Sequence, residues 1–289
     1  MRGLRPCPAT CSLFFACGAM FFMLGCSGTT AGPERSDSSE SGSSQAPISA
    51  GASATPAERV RTGDRAGALK LINKAIDAHG GEQALAKTRV RTRSENGEMH
   101  FEGTKITFTA KTAMNLPERL RNVIDAQANG VNSKLIQVVN AQTGWQSRNG
   151  QVEELSSESS KELREEAYLF WLTTLVPLKG KEFNVTTLLE EKKVDRQPAL
   201  GIVVSSDGHP DARLYFDKGT GLLVRAQHRT TLVRKDINST YDFGQHREFD
   251  GVKMPTRETH YVDADKQVEL TITSWEFPAS LPPGLFDKP

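Results

Sequence analysis

Cysteine is absent from nearly the whole chain. The four cysteines, Cys7, Cys11, Cys17 and Cys26, all fall at the start. The remainder therefore has no disulfide, no thiolate metal site and no cysteine nucleophile. Charge of one sign is equally scarce: 36 Lys and Arg stand against 35 Asp and Glu, leaving a net charge of +1. No Lys/Arg block interrupts that balance, so nothing draws the chain to nucleic acid. A membrane-length apolar run is missing too. The uncharged apolar stretch near the start, roughly Ser12 to Leu24, has about 13 residues where a spanning helix needs about 20. Among His79, His100, His209, His228, His246 and His260, no pair has the i, i+4 spacing of a helical zinc site. His209, in "SSDGHPDA", sits near two aspartates, but its glycine and proline neighbours make a turn. There is no G-x-S-x-G elbow, phosphate loop or dinucleotide fingerprint. A triad built from distant strands would leave no such trace. The expectation is a protein without catalytic residues, metal or cofactor.

What is present begins with the leader. Arg2 and Arg5 precede the short apolar stretch, the pattern of a secretory signal peptide. The residues "MLGC", Met23 to Cys26, resemble a bacterial lipobox, although Met and Leu depart from its commonest form. The resemblance implies cleavage after residue 25, a diacylglyceryl thioether on Cys26 and a further amide-linked chain such as palmitate. Two alternatives stay open: an ordinary cleaved leader with Cys26 incidental, and an uncleaved anchor. The thiol-free body favours acylation, because Cys26 would otherwise have no partner. More than one acyl chain gives stable membrane attachment, at about 0.8 kcal/mol per buried methylene. Ser27 in place of an aspartate tilts the expectation from the inner to the outer membrane, facing the periplasm.

Residues 26–63 carry the lipidated cysteine and a Ser/Ala/Gly/Thr-rich run with Ile48 as its lone large apolar residue from Ser27 to Glu58. Such a segment buries too little to offset its ordering entropy. It reads as a disordered tether with a reach of roughly 30 Å. The remaining residues, 64–289, read as one domain.

That domain opens on a helix, with Leu69, Ile72, Ala75, Ile76 and His79 on one face and Gly80-Gly81 as its stop. A short second helix follows at Glu82. The period then changes to two. "TKITFTAK" places Ile106, Phe108 and Ala110 on one side, and "VELTITSW" does the same with Val268, Leu270 and Ile272. These are half-buried antiparallel strands. Turn signals at Asn96-Gly97, Asn149-Gly150, Lys218-Gly219 and Asp250-Gly251 separate the runs. One apolar helix interrupts them. "SSESSKELREEAYLFWLTTLVPLK" offers a capping box from Ser159 to Glu162 and an end at Pro177. Phe170, Trp171 and Leu175 make its apolar surface wider than one stripe needs. It either plugs the sheet as core or lids a cavity.

The pieces "AHGG", "ALAKTRVRTRSENGEM", "LYFDKGTGLLVR", "FDGVKMP" and "SWEFPASLPPGLFDKP" together resemble the bacterial LolA/LolB-like superfamily over about residues 66 to 289. That resemblance implies a mainly β (α+β) fold, a single curved antiparallel sheet forming an unclosed β-barrel with helices on its concave face. It further implies acyl chains of lipid or lipoprotein as partners, held by a monomer. Ile106, Phe108, Phe170, Trp171, Leu175, Leu270 and Ile272 are the candidate lining residues. A core filled by its own side chains, with an envelope structural or interaction role, is the competing expectation.

Cys26→Ser tests the anchor. The variant should leave the membrane fraction or accumulate as an uncut precursor, seen by fractionation and intact mass. Unchanged mass and unchanged membrane association would defeat it.

Overall fold

The computed structural model describes residues 62–289, except 102–103 and 233–234, together with 13–16 and 19–22. Cys26, the expected cleavage site and nearly all of the tether lie outside the described residues. Leu13–Ala16 (β1) and Ala19–Phe22 (β2) pair with each other as a separate two-stranded sheet.

The domain starts with Arg65–Ala78 (α1) and Glu82–Lys87 (α2). Val90–Phe101 (β3), Thr104–Asn115 (β4), Arg119–Ala128 (β5), Val131–Val139 (β6), Gly144–Arg148 (β7) and Gln151–Glu154 (β8) follow. Ser157–Leu172 (α3) and a 3-10 turn, Val176–Lys179, interrupt the strands. Then come Asn184–Thr187 (β9), Lys192–Val194 (β10), Gln197–Ser205 (β11), Ala212–Asp217 (β12), Leu223–Leu232 (β13) and Lys235–Gly244 (β14). A small hairpin, Arg247–Phe249 (β15) and Val252–Met254 (β16), precedes Arg257–Val262 (β17) and Asp265–Glu276 (β18).

The large sheet is antiparallel and runs β10-β11-β12-β13-β14-β17-β18-β3-β4-β5-β6-β7-β8, with β9 alongside β10 on β11. Its two edges, β8 and the β9/β10 side, do not pair. This is the expected unclosed barrel, mainly β with a few helices. Short connections between antiparallel neighbours account for the order. Asn149-Gly150 and Asp250-Gly251 both hold positive φ, at 49° and 89° and at 46° and 78°, the conformation that two-residue hairpins require.

Helix α1 begins at Asp64, whose carboxylate accepts the Gly67 N–H at 2.7 Å. Ala68, Ile72, Ala75 and Ile76 form its buried stripe, while Leu69, expected there, is only partly buried. Gly80 ends the helix at φ 113°, and a Cβ there would meet the Gly251 carbonyl oxygen at 2.1 Å. The helix therefore stops directly against the β15–β16 turn. His79 locks the junction: its Nδ1–H donates to the Lys253 carbonyl at 2.6 Å, and its Nε2 accepts the Leu223 N–H at 3.0 Å. Those two partners require a neutral ring, and burial lowers its pKa. His79 is thus a neutral bridge between helix and sheet.

The alternation read in β4 is present, with Ile106, Phe108, Ala110 and Thr112 buried and Lys105, Thr107 and Thr109 exposed. Two local readings need correction. Asn96-Gly97 is no turn; both residues lie within β3, paired to Thr109 and Phe108. Gly97 is there because the Phe108 ring lies over it, so that a Cβ would approach the ring to 2.2 Å. Helix α3 is capped by Ser156, whose hydroxyl accepts the Ser159 N–H at 3.1 Å, instead of by a box from Ser159. It ends at Leu172, and Pro177 falls in the 3-10 turn beyond.

The three helices pack into the bend of the sheet. Residues of α1, α2 and α3 join Met114, Leu120, Val139, Ile202, Leu214, Phe216, Tyr241 and Leu270 in the main core. On the other face, the C-terminal segment brings Phe286 and Leu285 against Ala113 and Val138. Gly97→Ala should lower stability by about 1–3 kcal/mol, the usual effect of overpacking. A double-mutant cycle with Phe108→Leu, run by denaturant titration, should show strong coupling. A variant as stable as the parent would show that the ring does not depend on that glycine.

Candidate functional site

The register of the strands arranges the concave face in rows. The row Ile272–Glu95–Ala110–Ile124–Leu135 crosses β18, β3, β4, β5 and β6. Beside it runs Leu270–Gly97–Phe108–Ala126, and beyond that Val268–Met99–Ile106. Met99, Ile106, Phe108, Ala110, Ile124, Ala126 and Leu135 form an apolar cluster separate from the main core. Among the described residues, no helical side chain belongs to it.

Between this cluster and the helices lies a row of different chemistry. Arg93, Thr112, Asn122, Gln137, Gln146 and Glu153 are successive cross-strand partners from β3 to β8. All but Glu153 are buried. At its β3 end, Arg93 Nε is 2.7 Å from Glu95 Oε2 and Nη1 is 2.9 Å from Glu258 Oε2. The Thr112 hydroxyl donates to Glu95 at 3.0 Å. Helix α3 adds Glu166, whose Oε1 accepts the Tyr241 hydroxyl at 3.2 Å. Burial raises the pKa of Glu95, and it raises Glu166 well above the carboxylate range against the pull of Arg93. One turn earlier, burial and then the charge of Glu158 push Glu162 up to about 7. The guanidinium of Arg93 is thus shared between Glu95 and Glu258, the pairing that a buried charge needs.

Arg91 is buried two residues along β3. Its Nε–H meets Met114 Sδ at 3.2 Å, its Nη2–H donates to the Phe170 carbonyl at 3.3 Å, and its guanidinium lies 5.5 Å from the Trp275 ring centre. Burial, aided by Arg93, lowers its pKa to about 9. Next to it is a cavity of about 40 Å³, walled by His79, Arg91, Phe170, Thr173, Glu258 and Trp275 among others. That is space for a water or two, far below the roughly 300–1,000 Å³ of a ligand pocket.

The structure does not gather the seven expected lining residues in one place. Phe170, Leu175, Leu270 and Ile272 lie in the main core, and Trp171 packs half-buried against it. The Trp171 ring faces Phe183 at 5.4 Å and Tyr168 at 5.8 Å. Leu175 holds φ 63° in the reversal after α3. Ile106 and Phe108 belong to the separate cluster. The sequence reading missed the polar row and the carboxylates of α3. Glu158, Glu162 and Glu166, spaced by four on a helix that is otherwise apolar toward its end, were the available signal.

His209 stacks on Tyr168 with ring centres 3.5 Å apart and bonds Glu165 at 3.0 Å. Among the described residues no group of three His, Cys, Asp or Glu could hold a metal. Nor is any helix there long and apolar enough to cross a membrane.

No protein-family model and no curated protein matches the chain. Solved structures do. The LolA superfamily protein NE2245 from Nitrosomonas europaea is 12% identical, with a TM-score of 0.50, covering 76% of this chain and 97% of that one. A DUF1329 family protein from Desulfovibrio piger is 12% identical with a TM-score of 0.49, over the same shares of the two chains. The chain has a LolA/LolB-like fold.

Glu166→Gln tests the assignment of Glu166 as a neutral acid. A carboxyl with a raised pKa in the folded state favours folding below its unfolded pKa and loses that contribution as pH rises through the folded value. The Gln variant should therefore gain stability relative to the parent as pH rises from about 4.5, the ordinary carboxylate range. Denaturant midpoints at a series of pH values check it. A difference that shrinks with rising pH contradicts it.

Proposed function

We propose that this chain is an envelope lipoprotein, anchored through acylated Cys26, that holds acyl chains of lipid or lipoprotein against the concave face of its sheet. One observation carries the reading. The apolar cluster of Met99, Ile106, Phe108, Ala110, Ile124, Ala126 and Leu135 occupies the concave face and has no helical member among the described residues. The LolA/LolB-like fold supports it, since it places an inward apolar face within reach of a ligand. The tether and anchor would keep that face near a membrane, with the outer membrane favoured, and the transfer of lipid or lipoprotein is the biological role that fits. The reading calls for no catalytic residue and no cofactor.

A specific observation favours a second reading. The main core closes around a cavity of only about 40 Å³. If the second cluster is equally closed in solution, the domain is a structural or interaction module.

A full-length chain carrying Cys26→Ser, purified without detergent, should bind a fluorescent acyl probe and melt at a higher temperature with it, by mass action. Ala126→Phe, which fills the concave cluster, should weaken that binding at least tenfold while the fold persists. A parent that binds no probe leaves the structural reading standing.

A further inference from the structure

We propose that His79 and His246 form an acid-sensitive latch, which holds the end of α1 and the β15–β16 hairpin on the sheet and lets them part when the rings take up protons. Three elements meet there. Gly80 ends α1 directly against the hairpin turn. The His79 carbonyl accepts the Lys253 N–H at 3.0 Å, and the His79 ring returns its Nδ1–H to the Lys253 carbonyl at 2.6 Å. The other ring nitrogen, Nε2, accepts the Leu223 N–H at the start of β13. His246, in the link from β14 to β15, lies beside the Leu223 carbonyl. The two rings stand edge to face, with centres 5.6 Å apart.

Neither ring can take a proton and keep this arrangement. His79 has one nitrogen donating and one accepting, so an imidazolium would turn a second N–H against the Leu223 N–H. His246 Nε2 is buried without a hydrogen-bond partner among the described residues, so a proton there would find no protein acceptor. The charges facing the rings are unfavourable too. Across the cavity of about 40 Å³ stand Arg91 and Arg93 of β3 and Glu258 of β17. Glu258 is held by Arg93 at 2.9 Å. Lys253 of the hairpin adds a third cation. The rest of the cavity wall carries no charge: α3, β13, β14 and β18 bring Phe170, Thr173, Leu223, Phe243 and Trp275. Outside it, α2 and the hairpin turn contribute the exposed pair Lys87–Asp250. His209 is the contrast, since it lies partly open to solvent against Glu165 and can be protonated in place.

Burial keeps both rings neutral. It lowers His79, and it brings His246 to about 4 with help from the charge of His79. A free imidazole protonates near about 6.5, so the opened junction takes protons before the closed one. The closed form is fully favoured above about 6.5, and that advantage is lost as pH falls toward about 4. The bonds given up are those of Leu223 and Lys253, not the ladders that join β3 to β6. This end of the domain can therefore open while the sheet holds.

Amide exchange of full-length Cys26→Ser, read as protection at about pH 7 and about pH 4.5, tests this together with the titration of its histidine ring signals. The Leu223 and Lys253 amides should lose at least tenfold more protection on acidification than the amides of β4. Their loss should follow the His79 and His246 rings. Uniform loss across the domain is plain acid unfolding and overturns the latch. So do rings that titrate while both amides stay protected. His228, further along β13, and His260, on β17, are also buried and pushed to about 4, and could drive such a loss themselves. In His79→Gln/His246→Gln the selective acid response should vanish, whatever the basal stability. A response that survives in the folded double variant overturns the latch. If that variant does not fold, the ring titrations of the parent decide. Loss of the two amides with His79 and His246 supports the latch, and loss with His228 and His260 alone overturns it.

Discussion

Arg93 has a buried guanidinium, and the rest of the domain is arranged around neutralising it. An isolated ion inside a protein is strongly unfavourable, so it must be paired and hydrogen-bonded. Its partners come from two strands: Glu95 on β3 itself and Glu258 on β17, with β18 between them. Helix α3 closes the cluster with Glu166 and with Phe170, whose ring lies 5.5 Å from the guanidinium. Tyr241 reaches in from β14 to bond Glu166. The middle of the sheet, both of its arms and the helix in its bend are tied together at this point. Losing one partner would leave a charge with no solvent to accept it, which makes the cluster a device for fixing one arrangement of sheet and helix.

That cluster also divides the concave face. On its helix side, side chains from α1, α2 and α3 fill the core beside a cavity of about 40 Å³. On its far side the apolar cluster is built by strands. The helices and the strand-built cluster therefore occupy different parts of the face, and α3 acts as core where Phe170 and Leu172 lie and as a wall where Glu162 and Glu166 lie. The face sets a buried polar row beside an apolar floor.

The sequence made some of this visible and hid the rest for physical reasons. Strand β4 was readable because its inward residues are Ile106, Phe108 and Ala110, a clean period of two. The hairpins at Asn149-Gly150 and Asp250-Gly251 were readable because positive φ at both positions selects that chemistry. The identical dipeptide Asn96-Gly97 misled, since the glycine serves Phe108 on the next strand and not a turn. Strand β3 has no apolar alternation because its inward residues are Arg91, Arg93, Glu95 and Gly97. The polar row was hidden further. Thr112, Asn122, Gln137 and Gln146 sit on four strands, and only the register puts them side by side. Six of the seven expected lining residues are buried and Trp171 is half-buried, and they divide between two clusters because local pattern gives burial and not depth along the sheet.

The central claim is that an acyl chain lies on the strand-built half of the concave face. Photocrosslinking with a diazirine-bearing acyl chain, followed by peptide mass spectrometry of the full-length protein, tests it most directly. Adducts should concentrate on Ile106, Phe108, Ile124 and Leu135, and an excess of unlabelled lipid should suppress them. Adducts confined to exposed apolar residues such as Val131 and Leu189, or none that unlabelled lipid suppresses, would contradict it.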